Sequence, residues 1–275
     1  MTRYAAMFDR CRQRGEGAFG AFLMLGDPNP DASAAYLEAL VKGGADMIEL
    51  GIPFSDPVAD GPVIQAAASR ALYAGVRTAA CLTMIAAFRA RHADVPVGIL
   101  TYANIVAARG IGRFAGELAE AGADSLLVAD VPSLEARPYA DATRAAGIDL
   151  VMIAAPNTPP ATLRRIASLS SGYTYCVARS GVTGADRDIS LRHDALFEAL
   201  AQAGAPPPVL GFGIAIPDHV RQGIAAGAAG VISGSAIVRL VEEGASPQAV
   251  SNFVSELKAA TRPATQNLAC PAEKR

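Results

Sequence analysis

Short apolar runs alternate with longer amphipathic segments along the whole chain. The runs are Ala21–Leu25, Asp46–Leu50, Val97–Thr101, Ser125–Asp130, Asp149–Ala154, Tyr173–Ala178, Val209–Gly213 and Gly230–Gly234. They are apolar almost throughout and do not alternate with polar residues, which suits parallel strands covered on both faces. The segments between them carry helix signals. One over Asp31–Lys42 follows the turn DPNP and stops before Gly43-Gly44. Another, Pro62–Ala74, opens on a proline, whose missing N–H has no partner to lose in a first helical turn, and stops before Gly75. The others are Thr78–His92, Ile111–Ala121, Ser133–Ala146, Pro159–Ala167, Asp194–Ala203, Pro217–Ala226 and Pro247–Ala259. Phrases such as GGADM, AGADS, AAGID and AGAAG recur before strands. Each reads as a glycine that caps a helix and leads directly into the next strand.

The pattern is a βα unit repeated eight times with no linker of Pro, Ser or charge inside it. Eight parallel units in about 250 residues predict a closed (β/α)8 TIM barrel. An extra helix precedes the first strand, and a short extra helix follows the eighth. The alternative is an open doubly wound sheet. Its dinucleotide fingerprint GxGxxG is missing, because the turn after the first strand reads LGDPNP. The barrel is expected to span residues 1–262 as a single domain, with 263–275 a frayed tail.

Composition narrows the class. The chain has 275 residues, of which 51% are hydrophobic and 18% charged, enough to bury a substantial core and too apolar for disorder. A formal net charge of -2 and a pI near 5.9 show no basic face for nucleic acid. Cys11, Cys81, Cys176 and Cys270 have no CxxC spacing, and His92, His193 and His219 are equally scattered. That predicts reduced cytosolic thiols and no metal cluster. The N-terminus MTRYAAMFDRCRQRGEG has no apolar core of a secretory signal. The least charged stretch, QGIAAGAAGVISGSAIV, is rich in glycine and holds Ser233 and Ser235, which argues against a membrane span. The expected compartment is the cytoplasm.

In such a barrel the chemistry lies at the C-terminal ends of the strands. There the second strand and its loop read IELGIPFSDPVADGP, with Glu49, Asp56 and Asp60 among three prolines. Glu49 sits inside an apolar run. It is either an acid at a frayed strand end or a buried carboxyl in the barrel mouth, whose raised pKa would suit a general acid. Asp60 is either the N-cap of the following helix or a second carboxylate over the mouth, and Asp56 is equally a turn former. The prolines stiffen the loop that carries both. A second signal lies after the sixth, seventh and eighth strands, in ARSGVTGA, GFGI and ISGSAIV. Gly184, Gly213 and Gly234 let backbone N–H groups approach an anion, and Ser235 adds a hydroxyl at a helix start. Lys and Arg are scarce in these loops, so the anion, a phosphate in this fold, would be held by backbone dipoles. The sixth loop, with Arg179, Asp186, Arg187 and Asp188, is either a lid over a phosphorylated substrate or a solvated surface loop.

These residues resemble the tryptophan synthase α-subunit family. The matching phrases are LGDP, IELGIPFSDPVADGPVIQ, YAN, VADVP, YTY, RSGVTG, GFGI and ISGSAIV; they occur in order and cover nearly the whole barrel. The resemblance implies cofactor-free retro-aldol cleavage of indole-3-glycerol phosphate to indole and glyceraldehyde 3-phosphate. It implies Glu49 and Asp60 as catalytic acids. Phe22, Tyr175, Thr183 and Phe212 would line the indole and glycerol parts, and Gly184, Gly213, Gly234 and Ser235 the phosphate. It also implies a β-subunit partner in an α2β2 complex, facing a rim formed by Phe54, Asp56, Asn104 and Pro132. The chain departs from the family at Met24, where threonine is common, and at Ala178, where a small polar residue often precedes the arginine. On this chemistry Glu49 would protonate indole C3 from a drier strand end. Asp60, in a wetter loop, would stay ionised near the ring N–H. The rivals are a free-standing lyase with the same residues and a regulatory α-like subunit without turnover; the presence of both carboxylates speaks against the latter.

Overall fold

The apolar runs pair in parallel with one another throughout. A computed structural model of the chain describes residues 1–177, 193–211 and 213–262. Its strands are β1 (Ala18–Met24), β2 (Met47–Gly51), β3 (Val97–Thr101), β4 (Ser125–Val128), β5 (Asp149–Leu150), β6 (Met152–Ala154), β7 (Thr174–Val177), β8 (Pro208–Gly211) and β9 (Gly230–Ser233). They form one sheet in the order β5-β4-β3-β2-β1-β9-β8-β7-β6. Only Val151 separates β5 from β6, so the two ends of that order are halves of one chain segment and the sheet closes on itself as an eight-stave barrel. β1 is buried at every position, as expected of a strand covered by the barrel interior on one face and by helices on the other.

Around the barrel run α1 (Arg3–Gln13), α2 (Pro30–Lys42), α3 (Pro62–Tyr73), α4 (Thr78–Arg91), α5 (Ala103–Arg109), α6 (Ile111–Glu120), α7 (Arg137–Ala146), α8 (Pro160–Leu169), α9 (Asp194–Gln202), α10 (Pro217–Ala225), α11 (Ser235–Glu242) and α12 (Pro247–Ala259). α1 is the predicted extra helix before the barrel, and α11 the short one after its last strand. The Thr2 side chain caps α1 by accepting from the Ala5 N–H. The helix buries Tyr4, Met7, Phe8 and Cys11.

Several boundaries differ from the sequence reading for local reasons. β1 begins at Ala18 instead of Ala21, because Ala18–Ala21 pairs with Gly230–Ser233 of β9. α5 falls in a stretch to which the sequence pattern assigns no element. It has only seven residues, too few to show a helical period, before Gly110 turns the chain at φ 84°. The helix predicted from Ser133 begins at Arg137, after a short turn, with a proline in its first turn. The tail read as frayed, 263–275, lies outside the described residues. No single helix among the described residues is long and apolar enough to cross a membrane.

One ion cluster ties together the elements that carry the site. Asp27, in the loop after β1, is fully buried, and Arg70 of α3 grips it from Nε and Nη2 at 2.7 and 2.8 Å. The same guanidinium donates from Nη1 to Glu242 at the end of α11, at 2.9 Å. A planar fork that meets two carboxylates sets the relative register of all three elements.

Candidate active site

Glu49 is the central residue of β2, with Phe22 of β1 and Gly98 of β3 as register partners. Such partners project to the same face of a sheet. The face is the barrel interior: the Tyr173 hydroxyl, just before β7, donates to Glu49 Oε1 at 3.2 Å. β2 and β7 stand on opposite sides of the ring, so this bond spans the inside. Glu49 is 3% exposed, which removes the reading of an acid at a frayed strand end. Burial pushes its carboxyl up to about 8; the nearby Asp60 charge adds to the rise, and the Tyr173 hydrogen bond opposes it.

Asp60 does not cap the helix that follows it. Gly61 occupies the cap position of α3. The Asp60 carboxyl instead meets the hydroxyl of Tyr102, the residue after β3. Its backbone is fixed on both sides, by its N–H to Pro57 O at 3.1 Å and by Gln65 Nε2 to its carbonyl at 2.7 Å. Burial raises Asp60 to about 6, against the Tyr102 bond. At 8% exposed it is drier than a loop acid was expected to be, because Tyr102 and the folded-over loop cover it. Burial thus raises Glu49 further than it raises Asp60.

Five of the other predicted site residues, Phe22, Tyr175, Gly213, Gly234 and Ser235, lie among the described residues. Phe22 shares the interior layer with Glu49 and lies against Gly234, where an added Cβ would stand 3.4 Å from the Phe22 side chain. Tyr175 of β7 is buried, and that burial pushes its hydroxyl's pKa up, with Glu49 and Asp60 adding to the rise. Gly234 immediately precedes α11, whose N-terminus has no side-chain cap, and Ser235 is its first residue. Gly213 takes φ 81°, and the Ser233 hydroxyl donates to Ile214 O at 2.6 Å, tying the end of β9 to the turn after β8. Thr183, Gly184, Phe212 and the proposed lid with Arg179 and Arg187 lie outside the described residues. Among the described residues no group of three or more His, Cys, Asp or Glu could hold a metal ion.

The rim residues stand apart from this pocket. Asp56, Asn104 and Pro132 are exposed, and Phe54 is half-buried, stacked on Tyr102 at 5.4 Å. Sequence reasoning missed Val58 and Leu134, apolar and 72% and 70% exposed on the same loops. It also missed Tyr102 and Tyr173 as partners of the two carboxyls. Tyr173 had a signal, since it lies two residues from Tyr175 and so faces the same side of a strand.

A family model described as tryptophan synthase alpha chain matches residues 8–268. A tryptophan synthase alpha chain of Shewanella amazonensis is 50% identical over 266 residues, 95% of this chain and all of that one. One from Klebsiella pneumoniae is 49% identical over 269 residues, 96% of this chain and all of that one. Among solved structures, a Mycobacterium tuberculosis tryptophan synthase superposes with a TM-score of 0.86 at 33% identity, covering 96% of this chain and 99% of that one. The tryptophan synthase subunit alpha of Legionella pneumophila gives 0.82 at 30% identity, covering 95% and 98%. With the barrel, the two carboxyls and full-length matches in agreement, the chain belongs to the tryptophan synthase alpha chain family.

Proposed function

We propose that Glu49 is the proton shuttle and Asp60 the charge-stabilising carboxylate of the family's reaction in this chain. That reaction is the cleavage of indole-3-glycerol phosphate to indole and glyceraldehyde 3-phosphate, and the partner is the tryptophan synthase β-subunit. Cleavage needs a proton at indole C3, which leaves positive charge at the ring nitrogen. Glu49, raised to about 8, carries that proton at neutral pH. Once it has given the proton up, its carboxylate takes the proton of the hydroxyl on the carbon bonded to C3. The aldehyde forms, the bond to C3 breaks, and its electron pair neutralises the ring. Asp60 is largely ionised under the same conditions and balances the charge at nitrogen. The observation that carries this reading is two buried carboxyls close enough for the Asp60 charge to raise Glu49, with burial raising Glu49 further than Asp60.

Phe22, Tyr175, Thr183 and Phe212 are assigned to the indole and glycerol parts. Gly184, Gly213, Gly234 and Ser235 are assigned to the phosphate, with backbone dipoles as the binding groups. The rim of Phe54, Asp56, Asn104 and Pro132, extended by Val58 and Leu134, is assigned to the β-subunit, since exposed apolar side chains at such a rim suit a protein partner. The assigned compartment is the cytoplasm, in keeping with the free thiols of Cys11, Cys81 and Cys176.

Glu49→Gln tests the shuttle. The amide keeps the size but cannot cycle a proton, so turnover should fall by roughly 10²–10⁴ with glycerol phosphate affinity unchanged. Asp60→Asn should be less severe, because it removes charge stabilisation and leaves the proton step intact. Near-normal indole formation by Glu49→Gln would assign the shuttle elsewhere.

A further inference from the structure

Three buried hydroxyls converge beside Glu49. In the interior layer Gly98 stands between Glu49 and Ser125, the register partners on its two sides. Because it has no Cβ it leaves a space, and three hydroxyls fill it. Those of Tyr4, Ser125 and Tyr173 lie 2.9, 3.0 and 3.6 Å from the point where a Gly98 Cβ would be. The Tyr4 hydroxyl and Ser125 Oγ are hydrogen-bonded at 2.9 Å. The rings of Tyr4 and Tyr173 meet at 5.2 Å, inclined by 59°. Each of the three residues is 1% exposed. Branched apolar side chains are the usual filling of a barrel interior, and burying hydroxyls there is costly unless they are partnered, so packing alone does not call for this cluster.

Tyr4 comes from α1, outside the eight βα units, and takes no part in the reaction derived above. It reaches the cluster past the N-terminal ends of the strands, since Ser125 opens β4 and Tyr173 immediately precedes β7. The cluster therefore forms a polar floor under the acid, built jointly by the extra helix and two staves. We propose that Tyr4 and Ser125 are positioning residues for Glu49: their bonded hydroxyls and the Tyr4 ring fix the Tyr173 hydroxyl in the direction that receives the Glu49 carboxylate once its proton has left. The inference rests on Glu49 being the proton shuttle. That carboxylate must form in a dry interior, where oriented dipoles lower its cost. Among the described residues, the titratable groups that face it are Asp60 from the loop after β2, Tyr173 and Tyr175 from the β7 side and Tyr4 from below. Of these only Asp60 is charged near neutral pH, and it opposes the carboxylate.

The test is the pH dependence of kcat for indole formation by the full chain with saturating β-subunit, with thermal unfolding measured alongside. Tyr4→Phe keeps the ring contact and removes only the hydroxyl; Ser125→Ala removes its partner. Each should lower kcat roughly tenfold, leave KM within about twofold and raise the kcat midpoint of Glu49 by about half a pH unit. The double variant should do little more than either single one, since the two hydroxyls act as a bonded pair. Variants that melt earlier but keep the parent kcat and midpoint would make the cluster a packing feature and overturn the proposal. If Ser125→Ala fails to fold, Tyr4→Phe decides by the same readout. Glu49→Gln in the same assay separates the two failures. Activity surviving in Glu49→Gln overturns the shuttle itself, and the floor with it. An inactive Glu49→Gln beside unshifted Tyr4→Phe and Ser125→Ala overturns the floor alone.

Discussion

Glu49 is useful to the reaction because it is uncomfortable as an anion, and that discomfort acts on folding as well. Its folded value of about 8 lies above its ordinary 4.5, so between these values the folded chain holds a proton that the unfolded chain has lost. Stability must then fall as pH rises through that window, by on the order of 5 kcal/mol at most from this one group. Glutamine at the same place does not titrate. Glu49→Gln should therefore unfold at higher urea than the parent at pH 8, with the gap closing toward pH 4.5. Asp60, raised from 3.8 to about 6, acts with the same sign over a lower and narrower window. Urea titrations of parent and Glu49→Gln at pH 5 and pH 8 measure the difference. A gap that is the same at both pH values would mean that Glu49 is not the protonated carboxyl of the empty barrel.

At the scale of elements, each part of the site hangs on a strand end or a helix start. Gly234, in front of α11, separates phosphate binding from folding. A Cβ there would meet Phe22 at 3.4 Å, an ordinary contact, so Gly234→Val should fold. Its branched side chain would still stand where backbone N–H groups would meet phosphate, and glycerol phosphate affinity should drop roughly tenfold or more. Gly213→Val is a poorer probe, because φ 81° at that position strains any branched residue. Calorimetric titration with glycerol phosphate reads the effect; unchanged affinity in Gly234→Val would move the phosphate away from this loop. The strands were legible in the chain because burial on both faces writes them as unbroken apolar runs, and β2 with Glu49 stood out as an acid inside one. α5 was not legible, being shorter than the helical period needs. The roles of Asp60 and Glu49 were legible only in part. Asp60 before a helix reads equally as a cap until Gly61 is seen to take that place. The bond from Tyr173 to Glu49 joins residues 124 apart on opposite staves and exists only once the barrel has closed.

At the scale of the whole molecule, the carboxyl pair is connected to the rim through a short physical path. Phe54 stacks on Tyr102, and the Tyr102 hydroxyl accepts the Ala59 N–H at 3.3 Å and meets the Asp60 carboxyl. Asp56 lies on the exposed crest of the same loop; Ser55 Oγ donates to its carboxylate at 2.5 Å, and the Val58 N–H bonds its carbonyl at 3.0 Å. A partner seated on this rim would press on a loop whose far end is a reacting group, and a displacement of an ångström there can change a rate a hundredfold. Binding of the β-subunit should accordingly raise turnover more than substrate affinity. Asp56→Ala removes the one carboxylate on the crest without touching Tyr102 or Asp60. The isolated variant should keep its basal rate, while its activation by saturating β-subunit should fall by roughly fivefold or more, the size of a typical coupling between sites. Steady-state indole formation, for parent and variant, alone and with the partner, supplies the four rates required. Equal activation of the two chains at equal partner affinity would take Asp56 out of the coupling and leave the Phe54–Tyr102 stack as the remaining route from rim to carboxylate.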